Sequence, residues 1–360
     1  MNYLEKAKLF CFFLLLGVFI MPFSSHAFHL ESLKPVAAPK DNPQTPEKIE
    51  LGKKLFFDRR LSGDGTMSCV TCHDPETGYT DQLAISLSYP TTKNWRNSPS
   101  LINAAYNTSL FWDGRAQSLE KQALFPMMSA FEMNQNLDFL EEELKSVPEY
   151  VESFRKIFGG EITREKIAMA LASFQRTIVS KNAPVDKFLD GDTNSLTPEQ
   201  NRGYEIFTGK GKCVQCHSGA NFTDSKFYNL GVPENPALLN DPRVTATMRF
   251  TAKVSGYKDY RTLTEDPGRY LVTKNKKDWK AFKTPGLREI ALTGPYMHNG
   301  VFETLDEVIE FFNKGGGEDK NRSPLLEPLN LTHEEKQTLK VFLTEALKGE
   351  VTVVKTPEVP

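Results

Sequence analysis

Past its first 27 residues the sequence has no long apolar run, no strong excess of either charge, few cysteines and almost no strand-like alternation. Each shortage closes a class of explanation. A spanning helix needs about 20 consecutive apolar residues, so no membrane span is expected in the mature chain. Lysine and arginine total 44 against 46 aspartate and glutamate, a balance without the basic signature of a nucleic-acid binder. Scarcity of period-two alternation leaves a mainly helical fold. Of the five cysteines, Cys11 lies in the leading segment, and the remainder are Cys69, Cys72, Cys213 and Cys216.

The apolar stretch that does occur, Leu9 to Phe23, follows Lys6 and Lys8 and precedes Ser25-His26-Ala27. A basic start, a short apolar run and small residues at the cut mark a secretory signal peptide over residues 1–27, with cleavage after Ala27. The product is expected to be exported, to the periplasm. What remains suits two domains of ordinary size, each with its own core.

In an exported chain an even cysteine count usually means disulfides. Here each pair is spaced C-x-x-C and followed at once by His73 or His217, which reads as haem attachment. The thiolates add to the haem vinyl groups, and the adjacent histidine is thereby held under the iron as its axial ligand. Zinc would need two further ligands per site, and the other histidines of the mature chain are only His29, His298 and His333. Two covalently bound haem c groups are therefore expected, on Cys69, Cys72 and His73 and on Cys213, Cys216 and His217.

The residues ahead of the two motifs repeat. Thr45-Pro46-Glu47 with Gly52, Leu55 and Phe56 is matched by Thr197-Pro198-Glu199 with Gly203, Ile206 and Phe207. A Thr N-cap with Pro at the first helical position starts a helix in each copy, and Gln200 completes a capping box in the second. Apolar spacing predicts further helices through Ile167, Leu171, Phe174 and Ile178, through Leu305, Val308, Ile309 and Phe312, and through Leu339, Phe342, Leu343 and Ala346 behind Thr332 and Glu335. The turn-rich stretch from Gly191 to Thr197 is the expected boundary. It separates an N-terminal haem domain, 28–192, from a C-terminal one, 193–354, with 355–360 as a tail. The stretches 28–44 and 355–360 read as loose ends, and Asp241 to Lys283 as a basic, solvated excursion on the second domain.

Arg60-Leu61-Ser62-Gly63-Asp64-Gly65-Thr66-Met67-Ser68-Cys69, Phe111-Trp112-Asp113-Gly114-Arg115-Ala116, and Lys283-Thr284-Pro285-Gly286-Leu287-Arg288 through Pro295-Tyr296-Met297-His298-Asn299-Gly300 resemble the bacterial dihaem cytochrome c peroxidase and MauG family. The resemblance spans nearly the whole mature chain. It implies a mainly α fold of two cytochrome c-like haem domains related by duplication and packed against each other. It also implies hydrogen peroxide reduction at the N-terminal haem, fed through the C-terminal haem by a small exported cytochrome c or cupredoxin. A homodimer is the assembly entertained.

Carried over by position, the resemblance makes Glu132 the general acid–base group and Gln122 its partner above the N-terminal haem, with Pro126 limiting access. Trp112 becomes the ring between the haems, and Asn97 with the carbonyls of Thr293 and Pro295 a calcium site of hard oxygen ligands. Two departures stand out. No histidine occurs near Tyr89, where family peroxidases place a ligand that caps the resting iron, so the site is expected to be open without reductive activation. Phe312 stands where the family has methionine or tyrosine above the second haem, leaving that iron five-coordinate, water-bound, or capped by Met297, Met248 or His298. Two rival functions remain: MauG-like oxidation of a protein or small molecule through a stored high-valent state, and non-catalytic electron transfer.

Overall fold

The computed structural model describes residues 29–360, so the signal-peptide reading lies outside the described residues. The first half runs α1 (Pro46–Phe57), α2 (Leu119–Met128), α3 (Leu137–Lys145), α4 (Pro148–Phe158) and α5 (Arg164–Gln175). The second runs α6 (Pro184–Leu189), α7 (Pro198–Thr208), α8 (Pro236–Leu239), α9 (Pro242–Val254), α10 (Tyr270–Thr273), α11 (Leu305–Asn313) and α12 (His333–Val341). Strands are two-residue pieces: β1 (Ser180–Lys181) pairs antiparallel with β4 (Glu350–Val351), and β2 (Phe227–Tyr228) with β3 (Phe282–Lys283). Among the described residues no helix is long and apolar enough to cross a membrane.

Local chemistry accounts for where these helices begin. The Thr45 side chain accepts from Lys48 N, and reciprocal capping boxes join Thr197 to Gln200, Thr304 to Glu307 and Thr332 to Glu335. Each satisfies backbone donors that a helix start leaves unpaired.

The same contact recurs in both halves. α1 packs on α5 and α7 on α12, each through the repeated glycine. A Cβ on Gly52 would run into the Ala170 carbonyl, and one on Gly203 into the Thr338 carbonyl and the Phe342 side chain. Phe56 and Phe174 meet in the first core, and Phe207 and Phe342 in the second. Gly52→Ala is expected to destabilise the folded protein by about 1–3 kcal/mol, because backbone rather than a flexible side chain must move; thermal unfolding of the haem-loaded protein measures it.

The ends of the described chain are not loose, which corrects the sequence reading. Leu30 sits in the second core, and the His29 carbonyl accepts from Gly219 N at 2.7 Å. In the other direction, Val351 and Val354 pack on the first core, Thr352 O accepts from the Tyr79 hydroxyl at 2.9 Å, and Pro360 O from Arg60 at 2.6 Å. Each end thus packs on the half remote from it in sequence.

The 241–283 segment likewise differs from the solvated excursion expected of it. Met248, Ala252, Leu263 and Leu271 form a small core of their own. Val244, Met248 and Ala252 are buried at successive four-residue intervals along α9, a pattern diluted in the sequence by Arg243, Arg249 and Lys253. The segment also reaches the first half: Phe250 meets Phe131 edge-on at 5.6 Å, and Asp266 grips Arg96.

Candidate haem site

One continuous cavity of about 1000 Å³ is lined by both pentapeptides. Cys69 and Cys213 open short 3-10 turns, so each C-x-x-C-H places its thiols and imidazole on one local loop. None of the four cysteines is paired in a disulfide. His73 Nδ1 lies 3.1 Å from Tyr79 O, and His217 Nδ1 lies 3.0 Å from Phe222 O. A ring nitrogen hydrogen-bonded to a carbonyl carries the proton, leaving Nε2 with its lone pair for a metal. Burial holds the His73 pKa down at about 4 and lowers that of His217, so both rings are neutral, the ligating form.

The remaining lining fits a large, mostly apolar group with anionic substituents. Lys283 is half-buried, its Nζ finding only the Ser109 carbonyl at 3.1 Å, and desolvation lowers its pKa to about 8. Asn107, Asn221 and Gln175 each bring an unpartnered buried side-chain oxygen to the cavity wall. A half-buried cation without an anion is the kind of deficit a haem carboxylate relieves, whereas the three amide oxygens are acceptors and call for a donor. Lys283 would be the carboxylate's partner.

The residues assigned by resemblance are distributed as follows. Gln122 and Pro126 on α2, and Glu132 in the turn after it, all line the cavity. Glu132 is half-buried, and its charge is felt at Cys72, whose thiol it helps to raise after burial and Asp81. Trp112 lies where the halves meet: its carbonyl accepts from Lys283 N of β3 at 2.8 Å, and its indole donates to Asn97 O at 2.9 Å. The Asn97 amide nitrogen faces Leu83 O at 2.8 Å and Pro295 O at 3.4 Å, while Thr293 lines the same cavity. No cluster of three His, Cys, Asp or Glu side chains suited to a metal exists among the described residues, so calcium fits here only on amide and carbonyl oxygens plus water.

On the His217 side, Phe312 joins Leu305, Val308 and Ile309 in an apolar wall. Of the candidate ligands for that iron, Met248 is removed by the structure, because it is buried in the satellite core rather than on the cavity wall. Met297 and His298 do line the cavity. The His298 ring stacks on Phe282 at 3.6 Å, and burial holds its pKa down at about 3.

Two features of the site escaped the sequence. Arg96 is buried between carboxylates from both halves, with Nη1 at 2.7 Å from Asp113 and Nε and Nη2 at 2.6 and 2.9 Å from Asp266. Trp95, beside it, also lines the cavity and donates its indole N–H to Asp266 at 3.1 Å. Asp266 lies 170 positions from Arg96, and no local spacing signals such a pairing.

Two C-x-x-C-H loops with neutral, carbonyl-anchored histidines facing one cavity in a helical scaffold define a two-haem c-type cytochrome. A family profile described as di-haem cytochrome c peroxidase matches residues 46–194. The chain is 46% identical over 336 residues to the cytochrome-c peroxidase IdrP1 of Pseudomonas sp. (strain SCT), covering 92% of this chain and 89% of that one. It is 38% identical over 331 residues to the methylamine utilization protein MauG of Methylorubrum extorquens, covering 90% and 85%. In structure it resembles a MauG-like protein associated with microbial copper homeostasis, with a TM-score of 0.75, 28% identity and coverage of 90% and 95%. The chain belongs to the di-haem cytochrome c peroxidase and MauG family, whose members carry two c-type haems.

Proposed function

We propose that this protein reduces hydrogen peroxide to water on the His73 side of the cavity, with electrons entering by the His217 side. The observation that carries this reading is Glu132, a half-buried carboxylate on the cavity wall close to Cys72 of the first haem loop. Haem, when bound beside His73, would supply the two-electron redox chemistry. Glu132 takes a proton from one peroxide oxygen and returns it to the other, which then leaves as water. Gln122 donates an amide N–H to orient the peroxide. Trp112 passes electrons one at a time between the halves, and two further protons from solvent complete two waters.

The halves 28–192 and 193–354 then serve as peroxidatic and electron-transfer domains, with a small exported cytochrome c or cupredoxin as donor. Calcium, when bound, would be held by Asn97 and the Thr293 and Pro295 carbonyls, bracing the contact between them. Electron paramagnetic resonance of the oxidised, haem-loaded protein should show a high-spin iron, and stopped-flow mixing with peroxide should change its spectrum without prior reduction. Two purely low-spin signals and an inert spectrum would overturn the proposal.

A further inference from the structure

An aromatic cluster outside the peroxide site runs from the cavity wall into the 241–283 segment. Tyr257, Tyr270 and Trp279 are mutual neighbours, with ring centroids at 5.8 Å for Tyr257–Tyr270, 5.9 Å for Tyr257–Trp279 and 5.2 Å for Tyr270–Trp279. Trp95, whose ring lines the cavity, packs against the same small core of Met248, Ala252, Leu263 and Leu271 as these three. All four rings are half-buried, so the group connects the cavity with the surface.

The polar partners of the two indoles separate this arrangement from ordinary packing. Trp95 Nε1 donates to Asp266 at 3.1 Å, and Trp279 Nε1 donates to Glu265 at 2.9 Å. The acceptors are consecutive carboxylates, each ion-paired: Asp266 with Arg96 at 2.6 Å, and Glu265 with Lys280 at 3.1 Å. An indole that loses an electron becomes a strong acid, so a carboxylate already hydrogen-bonded to its N–H takes the proton and lowers the cost of oxidation. Tyr260, at the rim, is in the opposite situation. The guanidinium of Arg261 lies 5.0 Å from its ring centre and Lys253 Nζ 5.8 Å, and cations there oppose a positive charge on the ring, whereas the Arg96 guanidinium 5.3 Å from the Trp95 ring is offset by its ion pairs with Asp113 and Asp266.

We propose that Trp95, Tyr270, Tyr257 and Trp279 form a one-electron relay that carries an oxidising equivalent from the haem cavity to the surface at Trp279. This rests on the peroxide reading above, because peroxide is the oxidant. The balance is one electron moving inward from Trp279 to the peroxide-oxidised haem site, and one proton moving from Trp279 Nε1 to Glu265. A neutral indole radical is left, which a one-electron reductant at that surface then quenches with return of the proton. The relay gives the protein a second exit for oxidising equivalents, separate from Trp112.

The test mixes the haem-loaded protein with equimolar hydrogen peroxide in the absence of electron donor, freezes it within milliseconds and records the paramagnetic spectrum, alongside optical measurement of peroxide consumption. Wild type should show an organic radical whose hyperfine pattern narrows when tryptophan is ring-deuterated. Trp279→Phe, which keeps an aromatic ring in the cluster, should lose that signal with initial peroxide consumption unchanged. Glu265→Gln keeps the indole and removes the ionised acceptor, and should also lose the neutral-radical signal. Peroxide consumed without a tryptophan radical, or with one that survives Trp279→Phe, overturns the relay and leaves the peroxidase reading intact. Peroxide not consumed at all overturns both.

Discussion

Glutamine in place of Glu132 is expected to cut peroxide turnover by about 10²-fold or more while both haems stay attached. The replacement keeps the size and hydrogen-bonding capacity of the side chain and removes only its ability to carry a proton. The backbone around it is held independently of that carboxylate. Glu132 N donates to Ser129 O at 3.1 Å, Tyr89 N to Phe131 O at 2.9 Å, and Gly63 N to Met133 O at 2.8 Å, so the turn should not move. Steady-state turnover with a reduced small cytochrome as donor measures the loss, and the haem absorbance confirms an intact site. Turnover equal to wild type would remove Glu132 from the proton transfer.

The second large effect concerns the junction between the halves. Arg96→Ala should cost about 3–5 kcal/mol of stability, because it strands the Asp266 and Asp113 carboxylates in the interior without their cation. Arg96→Lys should recover little, since an ammonium cannot make the paired contacts of the guanidinium to Asp266 while also reaching Asp113. Urea denaturation of the haem-loaded variants gives both values. The same pair makes stability sensitive to acid. Against the opposing effect of burial, Arg96 holds the Asp266 pKa down at about 2. A carboxylate depressed in the folded state contributes stability above its unfolded pKa, and that contribution disappears as the pH falls through the folded value. Wild type should therefore lose stability between about pH 4 and pH 2 more steeply than Asp266→Asn, with unfolding midpoints measured across that range.

Much of the fold was legible because its signals are short-ranged. Thr45 with Pro46, and Thr197 with Gln200, announce helix starts through contacts made within a few residues. The two pentapeptides bind their group through atoms that no refolding of the rest of the chain can separate. Glu132 and Gln122 were reachable only by resemblance, since a carboxylate in a turn has no spacing that marks it as facing a cavity. Met248 was misplaced for a related reason: a thioether serves equally as a ligand or as core, and only its neighbours on α9 and around Leu271 decide.

By itself the sequence determined the haem attachment chemistry, the axial-ligand role open to His73 and His217, the helical class and the repeat. These depend on covalent adjacency and on hydrogen bonds spanning a few residues, which survive in any arrangement of the remaining chain. Tertiary structure alone decided that both haem loops open into one cavity, that the ends of the described chain cross to opposite halves, that Arg96 meets Asp266, and that Trp95 packs on the same small core as Tyr257, Tyr270 and Trp279. Those contacts join residues far apart in the chain. Their energy is collected only after two cores have formed and met, and nothing in the local order of side chains records it.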